Sequence, residues 1–361
     1  MCITRDRSLK GQGLVTRSLP ELYPLRFEPI FRRYLWGGRR LGTELGKPIG
    51  PGEDFAESWE LVDHGDDQSV VAAGPLKTWT LQRLFHEYGG ALFGAEFDAW
   101  QAVERPEALA RRFPLLFKFL DCHRDLSIQI HPNDAQARGQ SPPDLGKTEA
   151  WIVMHAAPGA TVYAGLKEGV DAAGLRNAIE TGRIAEVLHR FEPRVGDCIF
   201  VPAGTVHGLG AGFLVAEIQQ ASDTTFRLYD WDRTDAQGRG RPLHIEESLA
   251  VLSDSPGPVQ PVKPAFVSES RERLVHCDKF ALDRLRMDSA MPVGDGQSFH
   301  LLAVLEGAVR VDGDVGGDEV KRGQTVLIPA ACEAVTIEPT RGGATVLDIY
   351  WPSGRGESDR A

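Results

Sequence analysis

One pattern occurs twice in the chain. Gly196-Asp-Cys-Ile-Phe-Val-Pro202-Ala-Gly-Thr-Val-His207 is matched by Gly323-Gln-Thr-Val-Leu-Ile-Pro329-Ala-Ala-Cys-Glu-Ala334, with glycine and proline at the same separation around an apolar strand. Glycine suits the turn that enters such a strand, and proline ends it. Two β jelly rolls of related shape explain the match. The copies differ at the last position, where Ala334 stands in place of His207. If His207 binds a metal, the second barrel has lost that ligand and is expected to be structural.

The rest of the chain fits a mainly β fold with a few attached α-helices. Between Leu115 and Met154, Val195 and Tyr229, and Phe299 and Ile349, apolar runs rich in Ile, Val and Phe alternate with Pro/Gly turns. The 39 glycines and 23 prolines suit many short strands. Glu57-Ser58-Trp59-Glu60-Leu61-Val62 alternates as a half-buried strand does. Helical spacing is confined to Leu81, Leu84 and Phe85 after Thr80, and to Leu175, Ile179, Ile184, Val187 and Leu188 between residues 171 and 190. Residues 252–264 are too rich in proline for a central strand or a helix and read as a linker. The expected organisation is an N-terminal arm (1–24), a first domain (25–251), the linker, a second barrel (265–352) and a polar tail (353–361).

The net charge of −11 argues against nucleic acid or an anionic membrane as the main partner, because both need a positive surface. A small anionic substrate needs no more than a local cluster of cations. The five cysteines are scattered and show no C-x-x-C spacing, which disfavours a disulfide framework and a thiolate zinc site and points to a reducing cytoplasm. No apolar run has the length of a signal peptide or a spanning helix.

In Ser127-Ile128-Gln129-Ile130-His131, alternation puts Gln129 and His131 on one strand face. A polar face touching solvent is the competing reading. Gly146-Lys147-Thr148-Glu149 leads into the apolar run Trp151-Ile152-Val153-Met154, and a carboxylate at the head of a buried strand is costly unless paired or metal-bound. A surface Lys/Glu pair is the plainer reading. His207 sits at a strand-to-turn junction that aims it into a barrel mouth. Together Gln129, His131, Glu149 and His207 offer two imidazoles, a carboxylate and an amide oxygen, a set suited to zinc and also compatible with manganese or iron(II). Glu217 and Gln219 share a strand face farther on. In this acidic chain Lys118, Lys147 and Arg227 flank these candidates, which would make an anion pocket; Arg227 also has Asp230 and Asp232 as surface partners.

These blocks resemble the type I mannose-6-phosphate isomerases, a family of zinc cupins, in their short bacterial form. The resemblance runs from about Leu25 to about Trp351. It is carried by Phe117-Lys118-Phe119-Leu120-Asp121 with Leu126-Ser127-Ile128-Gln129-Ile130-His131-Pro132-Asn133-Asp134, then Gly146-Lys147-Thr148-Glu149-Ala150-Trp151, then Val201-Pro202-Ala203-Gly204-Thr205-Val206-His207, and finally residues 222–231 around Arg227. It implies two cupin barrels and one zinc ion on His131, Glu149 and His207, with Gln129 as a fourth ligand. Arg227 corresponds to the family's active-site arginine and Lys147 to a lysine near the substrate.

The implied reaction interconverts mannose 6-phosphate and fructose 6-phosphate through a cis-enediol(ate). Lys147 and Lys118 are expected to hold the phosphate or a sugar hydroxyl. Glu217 and a metal-bound water are the candidate bases. The rival readings are a cupin isomerase or epimerase for another sugar phosphate, and a non-catalytic sugar-binding cupin.

Overall fold

A computed structural model of the chain describes residues 19–352 except 235–236, 255–256 and 318. In chain order the principal strands of the first half are β1 (Ile30–Gly38), β2 (Phe55–Leu61), β3 (Leu115–Cys122), β4 (Ile128–Ile130), β5 (Glu149–Ala156), β6 (Val162–Leu166), β7 (Leu188–Phe191), β8 (Cys198–Val201), β9 (His207–Leu209), β10 (Phe213–Gln220) and β11 (Phe226–Tyr229). They form two antiparallel sheets, ordered β8-β5-β10-β3-β2-β1 and β7-β6-β9-β4-β11. The inward faces enclose a cluster built on Trp36, Leu120, Trp151, Val153, Ile199 and Phe213.

The second half repeats this plan with β12 (Ala265–Phe266), β13 (Arg271–His276), β14 (Ala281–Met287), β15 (Met291–Val293), β16 (His300–Glu306), β17 (Ala308–Val311), β18 (Val320–Lys321), β19 (Thr325–Ile328), β20 (Val335–Pro339) and β21 (Ala344–Tyr350). Its six-stranded sheet runs β19-β16-β21-β14-β13-β12, position for position the order of the first, and faces a β15-β20-β17-β18 sheet. The duplicated glycines behave alike, since Gly196 and Gly323 both have positive φ, 91° and 81°, at the turns into β8 and β19. The outward faces of the two large sheets meet in one cluster that contains Phe117, Phe119 and Ile218 from the first and Leu282, Leu301 and Leu347 from the second. Fully burying one such side chain is worth about 1.5–3 kcal/mol, so the halves are joined by a core rather than by the linker alone.

This packing explains where the sequence patterns mislead. Strand β2 is buried along its whole length, not half-buried. Glu57 and Trp59 face the interior, while Glu60 on the other side is neutralised by Lys47 at 2.6 Å. The helix after Thr80 spans Leu81–Tyr88, with the Thr80 hydroxyl accepting from Arg83 N. The second helical pattern is broken into Ala172–Glu180 and Ile184–Val187 by Gly182 at φ 67°, and Leu188 already opens β7. Within the expected arm, Tyr23 is bonded to the body of the first half. Tyr23 donates to Ala73 O and accepts from Leu76 N, and Leu25 bridges to Leu327 of the second half. Residues 1–18 and the tail from 353 lie outside the described residues. The proline-rich 257–264 stretch has no strand of its own but bonds across the first half, Val259 N to Ala164 O and Val262 N to Cys198 O.

Candidate metal centre and active site

Registered strands place the site residues in two rows. Across the smaller sheet, Gln129 on β4 lies opposite His207 on β9 and opposite Arg227 on β11. Residues directly opposite in antiparallel strands share a face, so the three side chains stand side by side. Across the larger sheet, Glu217 on β10 lies opposite both Trp151 on β5 and Lys118 on β3, and Lys118 lies opposite Trp59 on β2. The two rows face each other across a cavity of ≈ 310 Å³.

His131 follows β4 directly, and Glu149 opens β5 through a tight approach at Gly146. A Cβ there would meet Asp134 N at 2.6 Å and Asn133 C at 2.7 Å, so glycine is required. Lys147 and Glu149 therefore enter beside His131. His131, Glu149 and His207 are each about 1% exposed, and their ligand atoms lie within 4.8 Å of one another. Each imidazole spends Nδ1 on a carbonyl, Thr224 O at 3.0 Å for His131 and Thr205 O at 2.8 Å for His207. With Nδ1–H donating, Nε2 keeps its lone pair and points at Glu149, at 3.6 Å and 3.3 Å. Burial, reinforced by Lys147, pushes His131 well below its ordinary pKa, and burial brings His207 down to about 4, so both are neutral at pH 7 and could serve as ligands. Gln129 reaches this centre with its amide, 3.3 Å from His207 Nε2.

The donor set fits a divalent cation. Glu149 Oε1 is buried and makes no hydrogen bond, a costly condition unless a cation meets it. The Lys147 ammonium stands 2.9 Å from His131 Nε2 and 2.5 Å from Glu149 Oε2, where positive charge is wanted. Around it the charges do not balance. Lys118 and Lys147 face Glu57, Glu149 and Glu217, leaving one negative charge in excess. Burial opposes the charge on Lys118, but Glu217, Glu57 and Glu149 outweigh it and hold its pKa above the usual value. Glu217 accepts from Trp151 Nε1 at 3.1 Å through Oε2 and keeps Oε1 without a hydrogen bond, 3.2 Å from Lys118 Nζ. Arg227 is farther out, with Nη1 donating to Pro242 O at 3.0 Å and a buried Nε without an acceptor.

The second barrel shows the same register with different chemistry. His300 stands opposite Ile328 as Glu149 stands opposite Val201, and Asp348 and Asp283 pair as Glu217 and Lys118 do. There the buried charges neutralise one another. His300 Nδ1 lies 2.7 Å from Asp348, and Arg271 bridges Asp283 at 2.9 Å and Asp348 at 3.0 Å. Among the described residues the group that could hold a metal ion occurs in the first half alone.

Comparison with known proteins places the chain in a family. Residues 25–145 match the family model of the phosphomannose isomerase type I catalytic domain. A mannose-6-phosphate isomerase of Bacillus subtilis is 35% identical over 314 residues, 85% of this chain and 93% of that protein. The chain belongs to the type I phosphomannose isomerase family. A family member from Streptococcus mutans is 33% identical over 307 residues, 85% of this chain and 92% of that protein. The crystal structure of a Bacillus subtilis mannose 6-phosphate isomerase superposes with a TM-score of 0.78 at 29% identity, covering 91% of this chain and 99% of that one. A mutant phosphomannose isomerase from Salmonella typhimurium, 17% identical, shares the fold at a TM-score of 0.71 over 92% of this chain and 100% of its own.

Of the residues expected from sequence, Lys118, Gln129, Lys147, His207, Glu217 and Arg227 line one cavity of this phosphomannose isomerase family member, at two depths, while His131 and Glu149 are buried beside His207. Lys118 and Lys147 lie at the floor, already engaged by carboxylates, and Arg227 lies nearer the rim. Sequence reasoning missed Glu57, whose Oε2 accepts from Trp59 Nε1 at 2.5 Å and faces Lys118. The alternation of β2 was its signal. It also missed Arg241, which lines the cavity from the Gly-Arg-Gly-Arg-Pro loop of residues 238–242. Asp144 was missed because its action is indirect. It accepts from Ser222 Oγ at 2.9 Å and Thr224 Oγ1 at 3.0 Å and so fixes the loop whose carbonyl orients His131.

Proposed function

We propose that this protein is a zinc-dependent aldose–ketose isomerase that interconverts mannose 6-phosphate and fructose 6-phosphate through a cis-enediol(ate). The observation that carries the reading is the buried His131/Glu149/His207 centre set opposite Glu217 in a cavity sized for one small molecule. Two neutral imidazoles and a carboxylate, with the Gln129 amide beside them, would hold zinc, and a zinc ion supplies Lewis-acid polarisation of substrate oxygens without redox chemistry.

The chain's own residues do the rest. Glu217 Oε1, free of hydrogen bonds and held in place through Trp151, takes the proton from one carbon of the C1–C2 pair and returns it to the other. Lys118 remains an ammonium ion beside it and stabilises the negative charge that develops on the oxygens. Lys147, between His131 and Glu149, donates to a sugar hydroxyl. Arg227, in the row with Gln129 and His207, holds the open-chain sugar in register with the centre. Buried free thiols at Cys122 and Cys198 are in keeping with a reducing cytoplasm.

The test is fructose 6-phosphate formation from mannose 6-phosphate, measured before and after chelation and after zinc is added back. Activity lost on chelation, restored by zinc and lowered about 100- to 1,000-fold by Arg227→Ala is expected. A folded, zinc-loaded protein without turnover would sink the isomerase reading.

A further inference from the structure

The rim of the cavity carries a charge arrangement of which the reaction chemistry uses Arg227 alone. After β11 the chain turns back, and residues 241–244 lie alongside that strand, with His244 N bonded to Arg227 O and Arg227 N to His244 Nδ1. The return brings Arg241 to the cavity beside Arg227. Arg241 gives Nε and Nη2 to the carboxylate of Asp230, at 2.7 Å and 2.5 Å, and its Nη1 makes none of the described hydrogen bonds. Asp230 is shared, because Arg233 binds it too and also donates to its backbone carbonyl. Arg233 and Arg241 thus hold one buried carboxylate close to Arg227, and the acids on the cavity wall itself are Asp223, Glu57 and Glu217. Burial and then the like charge of Arg241 lower the pKa of Arg227, and Asp230 offsets them only in part.

We infer that Arg241, splayed by Asp230 and paired with Arg227, is the phosphate-recognition residue of this site, with Ser127 also on the cavity wall. This rests on the sugar-phosphate reading above and deepens it. The lysines are poorly placed for the role, since Lys147 and Lys118 are held by Glu149, Glu217 and Glu57 at the floor, where a dianion would be forced against three carboxylates. The rim offers the opposite field. Arg227 lies two strands from His207 across the sheet, about 9–10 Å at the usual strand spacing. That separation suits a substrate with its reacting carbons at the metal centre and its phosphate at the guanidinium pair. A planar guanidinium fixed by two bonds on one edge presents its remaining edge to phosphate at little entropic cost.

The experiment compares wild type, Arg241→Ala, Arg241→Lys and Arg233→Ala, all zinc-loaded. It uses mannose 6-phosphate and unphosphorylated mannose as substrates and inorganic phosphate as inhibitor. Arg241→Ala is expected to raise KM for mannose 6-phosphate about 10- to 100-fold, the loss of one charge-assisted contact, with a smaller fall in kcat. Inhibition by inorganic phosphate should weaken by a similar factor, and Arg241→Lys should recover part of both. Arg233 braces Asp230 and donates to Asp125 O without lining the cavity, so Arg233→Ala should lower the melting temperature and keep the preference for the phosphorylated sugar. The inference is overturned if Arg241→Ala keeps the wild-type KM and phosphate inhibition, or if Arg233→Ala reproduces its loss of preference, since loop position and not Arg241 would then be responsible. Calorimetric binding of mannose 6-phosphate against mannose tests the same subsite in a protein that turns over neither. Failure of the isomerase reading is therefore distinguishable from failure of this one.

Discussion

Replacing Glu149 by glutamine removes one buried charge at almost constant volume, and its effect should differ between the metal-free and zinc-loaded protein. In the metal-free state Glu149 is the nearest counterion of Lys147, at 2.5 Å with side chains 1% and 6% exposed. Breaking a buried pair by removing one partner costs about 3–5 kcal/mol. Glu217, 3.9 Å from the same ammonium, still offsets part of the orphaned charge, so about 3 kcal/mol is expected. Zinc adds a second difference. A ligand at 1,000 times its Kd stabilises the native state by about 4 kcal/mol, and the variant, left with two imidazoles and amides, should lose most of that. The assay is urea denaturation of the chelated proteins, repeated across a zinc titration. Equal midpoints for the chelated wild type and variant would refute the buried ion pair, and an equal zinc-dependent rise in both would refute Glu149 as a ligand.

Asp144 should matter at a distance. Asp144→Ala frees the Ser222–Thr224 loop and with it the carbonyl that orients His131, so zinc affinity by chelator competition should fall about 10- to 100-fold; an unaltered affinity would show that the loop holds without it. In the second barrel, burial works against the charge on Asp348 but His300 and Arg271 prevail and keep its pKa below the ordinary value. A depressed native pKa gives stability that is present above the unfolded value, roughly pH 3.9, and is lost as pH falls through the native one. Asp348→Asn should therefore be less stable than wild type at pH 7 by denaturation, with the gap closing in strong acid; a gap that does not vary with pH would contradict this. Burial pushes the Cys198 thiol up to about 12 and raises Cys122 as well, so neither should react with an exposed-thiol reagent at pH 8 until the protein is denatured, and prompt native-state labelling of either would be the contrary result.

Read by itself, the sequence determined the β class, the duplicated strand-turn unit, the helix after Thr80, and a candidate His131, Glu149 and His207 group. Each of these is local. A period of two fixes which side chains share a face, glycine and proline fix where a strand begins and ends, and a carboxylate or histidine at the head of an apolar run has few inexpensive environments. Tertiary structure decided what spacing cannot encode. Gln129, His207 and Arg227 lie far apart in the chain and become one row through strand register. Strand β2 is buried on both faces because the second half packs behind it. Lys118 and Lys147 look from sequence like open phosphate ligands, yet folding delivers three carboxylates to them and places Arg241 at the rim. The cause is long-range pairing, since the charge a side chain meets depends on which distant strand lies beside it.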